Sequence, residues 1–174
     1  MGVVVAVVVG VLLLVALSYF VSYNRLVSDR NKVGSSWATV DAELQRRHEL
    51  VPSLVDAVKV VAAHEQALLV RAAEAHAAAV SADHTPRAAE QSEPAVAAAA
   101  ADLVALREHY PQLNSQQNFL DLQERLTMTE DRIAAARRYY NTVVAKLNRR
   151  IDAFPSNFVA RRIGAEPAEY FQRD

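Results

Sequence analysis

From Val3 to Val21 the chain reads VVVAVVVGVLLLVALSYFV, nineteen residues without a charge, interrupted only by Gly10 and Ser18. As a helix this run rises ~28 Å, close to the ~30 Å hydrocarbon thickness of a bilayer. The run therefore predicts a membrane-spanning helix, and everything after it must fold as a domain tied to lipid. Tyr19, Phe20 and Tyr23 cluster at its end, where amphipathic rings favour the headgroup level. A cleaved signal peptide is the rival reading, because Ala16-Leu17-Ser18 loosely fits a small-x-small site. It is the weaker one: no Lys or Arg precedes the run, the run exceeds the usual ~7–15 apolar residues, and aromatic rings stand where small residues should be. Residues 1–24 are thus read as an anchor and 25–174 as a helical domain.

Charge sets the orientation and limits the partners. All 19 Lys/Arg and 20 Asp/Glu follow the anchor. Arg25, Arg30 and Lys32 lie just after the span, with only the chain terminus before it, so the positive-inside rule places the domain in the cytoplasm of a cytoplasmic (inner) membrane, with the N-terminus outside. A formal net charge of -1 gives no general reason to expect nucleic acid, which needs an excess of positive charge on one face. There is no cysteine, which removes disulfides and thiolate chemistry.

The rest of the chain is poor in helix breakers. Punctuation falls at Ser81–Pro86, at Tyr110–Ser115, and at Phe154–Phe158 followed by Gly164 and Pro167. These divide it into three long helical segments and a short tail. The first repeats Leu26, Val33, Val40, Leu54, Val61 and Leu68 at one heptad position and Trp37, Leu44, Val51 and Val58 at the other. The last repeats Phe119, Leu126, Ile133, Tyr140, Leu147 and Phe154, joined by Leu122, Ala136 and Val143. Between them, 87–109 is a shorter alanine-rich helix with Val96, Leu103 and Leu106 on one face. Pro52 sits inside the first segment, and because the heptad phase runs through it, a bend is expected rather than a break. The expected fold is all-α: one N-terminal transmembrane helix, then an up-and-down bundle of long helices with a short C-terminal helical tail.

Three charges occupy positions on these stripes that are otherwise apolar: Arg47, Glu65 and Arg150. Each is costly unless paired. Arg47 and Glu65 are ~27 Å apart along one helix and must find partners elsewhere. Glu130 or Asp131 suits an arginine, and Arg137 or Arg138 suits a glutamate. Such pairs most often fix helix register; the alternative is a polar cleft in which Arg47, Glu65 and Glu130 converge. The basic group Lys146, Arg149, Arg150, Arg161 and Arg162 suits a helix C-terminus, or a bilayer surface if that end folds towards the anchor.

The five histidines do not follow metal-site spacings: no Glu precedes a His by three residues as a di-iron bundle requires, and His48-Glu49 and His64-Glu65 point ~100° apart on a helix. No glycine-framed serine and no phosphate-cradling loop is present. No metal, cofactor or catalytic residue is expected, and an enzyme is the less favoured class.

Two stretches carry a family likeness. Tyr23–Glu65 and Tyr110–Pro155, above all Thr129-Glu130-Asp131-Arg132-Ile133-Ala134 with Ala136-Arg137-Arg138 and Tyr140-Asn141, resemble the LemA family. The resemblance implies a bacterial protein with an N-terminal membrane anchor and long antiparallel helices, and no established general activity. The polar residues it marks are Asn24, Arg30, Asn31, Trp37, Asp41, Arg46, Arg47, His64, Glu65, Asn118, Glu130, Asp131, Arg137, Arg138 and Asn141. The expected function is a membrane-tethered interaction or scaffold module, whose partners are the bilayer and another membrane protein or a second copy. The alternative is a receptor or enzyme, for a small ligand or in envelope stress, built on the buried charges. A third reading, lipid contact through the basic end, requires that end to lie near the anchor.

Overall fold

The computed structural model describes residues 1–171. Five α-helices occur among them, and no strand: α1 (Gly2–Lys59), α2 (Gln66–Val80), α3 (Pro86–Ala105), α4 (Gln117–Asp152) and α5 (Ser156–Arg162). Two 3-10 turns, Leu106–Glu108 and Pro111–Ser115, join α3 to α4. The residues gather into two packed units, one of 1–36 and 139–170, the other of 37–138 with Phe171.

In the first unit, Leu26 of α1 packs with Leu147 of α4 and with Val159 and Ala160 of α5, and Val33, Ile151, Ala165 and Ala168 close around them. The preceding apolar run of α1 is exposed at every position but Gly10. Tyr140 donates from its hydroxyl to the Glu169 carbonyl at 2.7 Å, and Asn148 makes two bonds to Ala168, so α4 holds the C-terminal tail. Burial and the neighbouring Glu169 charge push the Tyr140 phenol up to about 12. The tail turns at Gly164, whose φ of 62° suits a residue without Cβ. There the amides of Ala165 and Gly164 close back on the carbonyls of Ala160 and Arg161, the paired bonds that end many helices.

In the second unit, the later part of α1 contributes Leu50, Val51, Leu54 and Val58 to a core with α2, α3 and the first turns of α4. α3 starts where Thr85 caps it, its Oγ1 accepting from the Ala88 amide at 3.2 Å, with Pro86 in the first turn. Its alanines are small enough for α2 to approach closely.

The structure departs from the sequence expectation in two places. α1 runs through Pro52 without a break, as expected, but it stops at Lys59 instead of continuing to Ser81. The Val58 carbonyl accepts from both Val61 and Ala62, at 3.0 and 2.8 Å, which tightens the chain into a turn over 60–65. The β-branched pair Val60-Val61 weakens the helix there without any glycine or proline. At the other end, Phe154 does not extend the α4 stripe. α4 ends at Asp152, and Phe154 is 80% exposed.

Candidate functional site

The sequence flagged charges on packing stripes, and in the second unit one of them is the centre of a cluster. Arg47 is 3% exposed. Its Nη1 donates to both carboxylate oxygens of Glu130 on α4, at 3.0 and 3.1 Å, and its Nη2 donates to Glu93 on α3. His48, the next residue of α1, lies with Nε2 2.8 Å from the other Glu93 oxygen, and its ring meets His76 of α2 edge-on. Burial would raise the Glu93 carboxyl, but hydrogen bonds from His48 and Arg47 and their charge hold it below its ordinary value. Two carboxylates therefore neutralise one buried guanidinium, and the cluster ties α1, α3 and α4 together. A pocket of about 180 Å³ lies beside it, lined by Glu93, Glu130, Arg137 and Phe171 among others.

Glu93 was not anticipated. It lies on the line Ala89, Glu93, Val96, Ala100, Leu103, all buried at helical spacing, so the rule that flagged Arg47 would have found it. Glu65 does not join this cluster. It lies in the turn after α1 and accepts from the Tyr110 hydroxyl at 2.9 Å, which raises the Tyr110 phenol. The convergence of Arg47, Glu65 and Glu130 in one cleft is therefore absent: Arg47 meets Glu130, and Glu65 borders a different pocket with Arg71, Asp102 and His109.

Trp37 and Asp41 form a second constellation with the turn before α3. The Trp37 indole donates to the His84 carbonyl at 2.8 Å and its ring packs on Phe171, with centroids 5.4 Å apart. Asp41 takes the His84 Nδ1 at 2.9 Å and a bond from Gln45; this hydrogen bond and the Asp41 charge raise the His84 imidazole above its ordinary value. Arg46 pairs with Glu43 on the surface at 2.6 Å. His64, Asn118, Asp131 and Arg138 are exposed, and Asn141 is half-buried. Among the described residues, no three His, Asp or Glu side chains converge as a metal ion would require.

The first unit holds its own buried charge. Asp29 of α1, 2% exposed, has Arg150 of α4 at 2.6 Å and Lys146 at 3.5 Å. Arg150 is thus answered by an acid that the sequence reading passed over. Asn24 is exposed, and Arg30 and Asn31 border a groove of about 350 Å³ between α1, α4 and the Gly164 turn.

These stripes and their embedded charges run through the segment that decides family membership. Residues 36–174 match the LemA family, most of the chain. The chain belongs to the LemA family. Arg47, Glu93, Glu130 and Arg150 all fall inside the LemA match, whereas Asp29 and the apolar run precede it. The LemA chain is also similar to two magnetosome proteins of Paramagnetospirillum magneticum, MamQ 1 and MamQ 2. Each is 37% identical over 70 residues, which is 40% of this chain and 26% of the relative. The matched segment thus spans about a quarter of the curated relatives' length.

Proposed function

We propose that this LemA-family chain is a single-pass protein of the cytoplasmic membrane, with its helical domain in the cytoplasm, and that it works as a membrane-tethered interaction module rather than as an enzyme. One observation carries the reading. The first twenty residues of α1 present apolar side chains that the fold leaves exposed, in the same continuous helix whose later turns are core. Such a surface in water is untenable for a stable protein, and a bilayer satisfies it. Arg25, Arg30 and Lys32 are all exposed just beyond it, in keeping with a cytoplasmic domain.

The module's partner is another membrane protein or a second copy of the chain. Photo-crosslinkers placed at exposed positions of α4, such as Met128, in native membranes are expected to capture a defined partner that mass spectrometry identifies. A chain that fractionates as soluble, or that stays monomeric and captures nothing, overturns the reading.

A further inference from the structure

We infer that the corner between α4 and α5 is itself immersed in the membrane, with Phe154 and Phe158 among acyl chains and Arg161 and Arg162 at the phosphates of anionic lipid. The inference rests on the reading of α1 as a membrane span. Phe154, Pro155, Phe158 and Val159 line one apolar groove with Leu14, Val15, Ser18 and Tyr19 of α1. Leu14 lies seven residues before Val21, about 10 Å further along the helix towards the N-terminus. If Val3–Val21 fills the hydrocarbon, rings that share a groove with Leu14 and Val15 lie below the headgroup plane.

The side chains suit that depth. Phe154 is 80% and Phe158 64% exposed, two large rings that meet edge-on and that the fold otherwise leaves mostly uncovered. On α5, Ser156, Val159 and Ala160 are buried, so the opposite face carries Phe158 with Arg161 and Arg162 three and four residues on. An apolar toe with a cationic rim is the pattern of helices that lie in a bilayer interface. The near-neutral total charge conceals the segregation that supports it. Residues 1–36 and 139–170 hold eight Lys/Arg against four Asp/Glu, so the unit that carries the anchor is basic. Anionic headgroups attract such a surface.

The absence of cysteine allows single spin labels in the full chain. Phe158→Cys, Val8→Cys in the span and Met128→Cys in the other unit would each be labelled and reconstituted at one copy per nanodisc of phosphatidylcholine and phosphatidylglycerol. The expected result is that the labels at 158 and 8 lose collisions with a water-soluble nickel chelate and keep those with oxygen, while the label at 128 does the reverse. Replacing phosphatidylglycerol by phosphatidylcholine, or Arg161 and Arg162 by Gln, is expected to restore nickel access at 158. Nickel access at 158 with shielding at 8 sinks the inference and leaves the anchor standing; access at both positions sinks the anchor reading itself. Shielding at 158 that occurs only in discs holding two copies assigns the corner to self-association and overturns the lipid assignment, as does shielding indifferent to both lipid charge and the arginines.

Discussion

Arg47 grips Glu130 with a single nitrogen, Nη1, 3.0 Å and 3.1 Å from the two carboxylate oxygens, yet Glu130 is the less important of its partners. The Glu130 side chain is 41% exposed and can exchange the arginine for water, whereas that of Glu93 is 3% exposed and cannot. Arg47→Met, which strands Glu93 in the core, is expected to cost about 3–5 kcal/mol, the range for breaking a buried pair from one side. Glu130→Gln is expected to cost about 1 kcal/mol or less, as exposed pairs do. Urea unfolding of the full chain, followed by helical circular dichroism, separates the two. Equal losses would mean that Glu93 does not depend on Arg47.

Glu93 also gives the second unit an acid sensitivity of known sign. Its folded carboxyl titrates below the ordinary value of 4.5 because Arg47 and His48 outweigh its burial. The stability this lends is present above pH 4.5 and disappears as pH falls through the folded value. Urea midpoints measured from neutral pH downwards should drop below pH 4.5, and Glu93→Gln should flatten that drop. An unchanged acid limb in the variant would move the sensitivity to other carboxylates.

The opposite sign holds at His84, where Asp41 raises the imidazole above 6.5. Its contribution is complete below pH 6.5 and is lost as pH rises through the folded value. The chain has one tryptophan, and Trp37 donates to the carbonyl of that same His84, so indole emission reports on the contact. The emission is expected to titrate with a midpoint above 6.5, and Asp41→Asn should bring the midpoint back towards 6.5. A midpoint insensitive to Asp41 would mean that the histidine is held otherwise.

The helical class, the apolar run and the breaks at Ser81–Pro86 and Tyr110–Ser115 were legible because composition marks each of them. The turn over 60–65 was not, because it contains neither glycine nor proline and is closed by backbone bonds from Val58. Asp29 escaped for a different reason. Inward positions along α1, buried or in the case of Val33 half-buried, include 26, 29, 33, 36 and 40, alternating by three and four, then 44 after a further step of four, then 47, 51, 54 and 58. That added step shifts the second heptad position from 29 and 36 to 44 and 51. A single unbroken heptad drawn through Trp37 and Leu44 passes through Arg30, which is exposed, and misses Asp29, which is buried. Glu93 stands in register with Val96 and Leu103 and could be found on that ground, but the alanine background of α3 leaves few large apolar residues to outline the stripe.

Asp29 and Arg150 form an unequal pair, and the inequality predicts which substitution hurts more. Arg150 has a 23% exposed side chain and Lys146 a 49% exposed one, so both cations can turn to water if the acid is lost. Asp29 is buried and cannot. Moreover, its Oδ2 accepts no aligned hydrogen bond although Arg150 stands 2.6 Å away, so the arginine's charge is what compensates it. Asp29→Asn is therefore expected to cost about 1–2 kcal/mol, the scale of a buried polar group left without an aligned hydrogen bond. Arg150→Met is expected to cost about 3–5 kcal/mol, because it leaves a buried carboxylate facing only a lysine at 3.5 Å. The double variant should recover most of the loss, since no uncompensated charge then remains in the core. Thermal unfolding of the three variants in the same nanodiscs measures the order directly, and a double variant no better than Arg150→Met alone would show that Asp29 is stabilised by something other than this arginine.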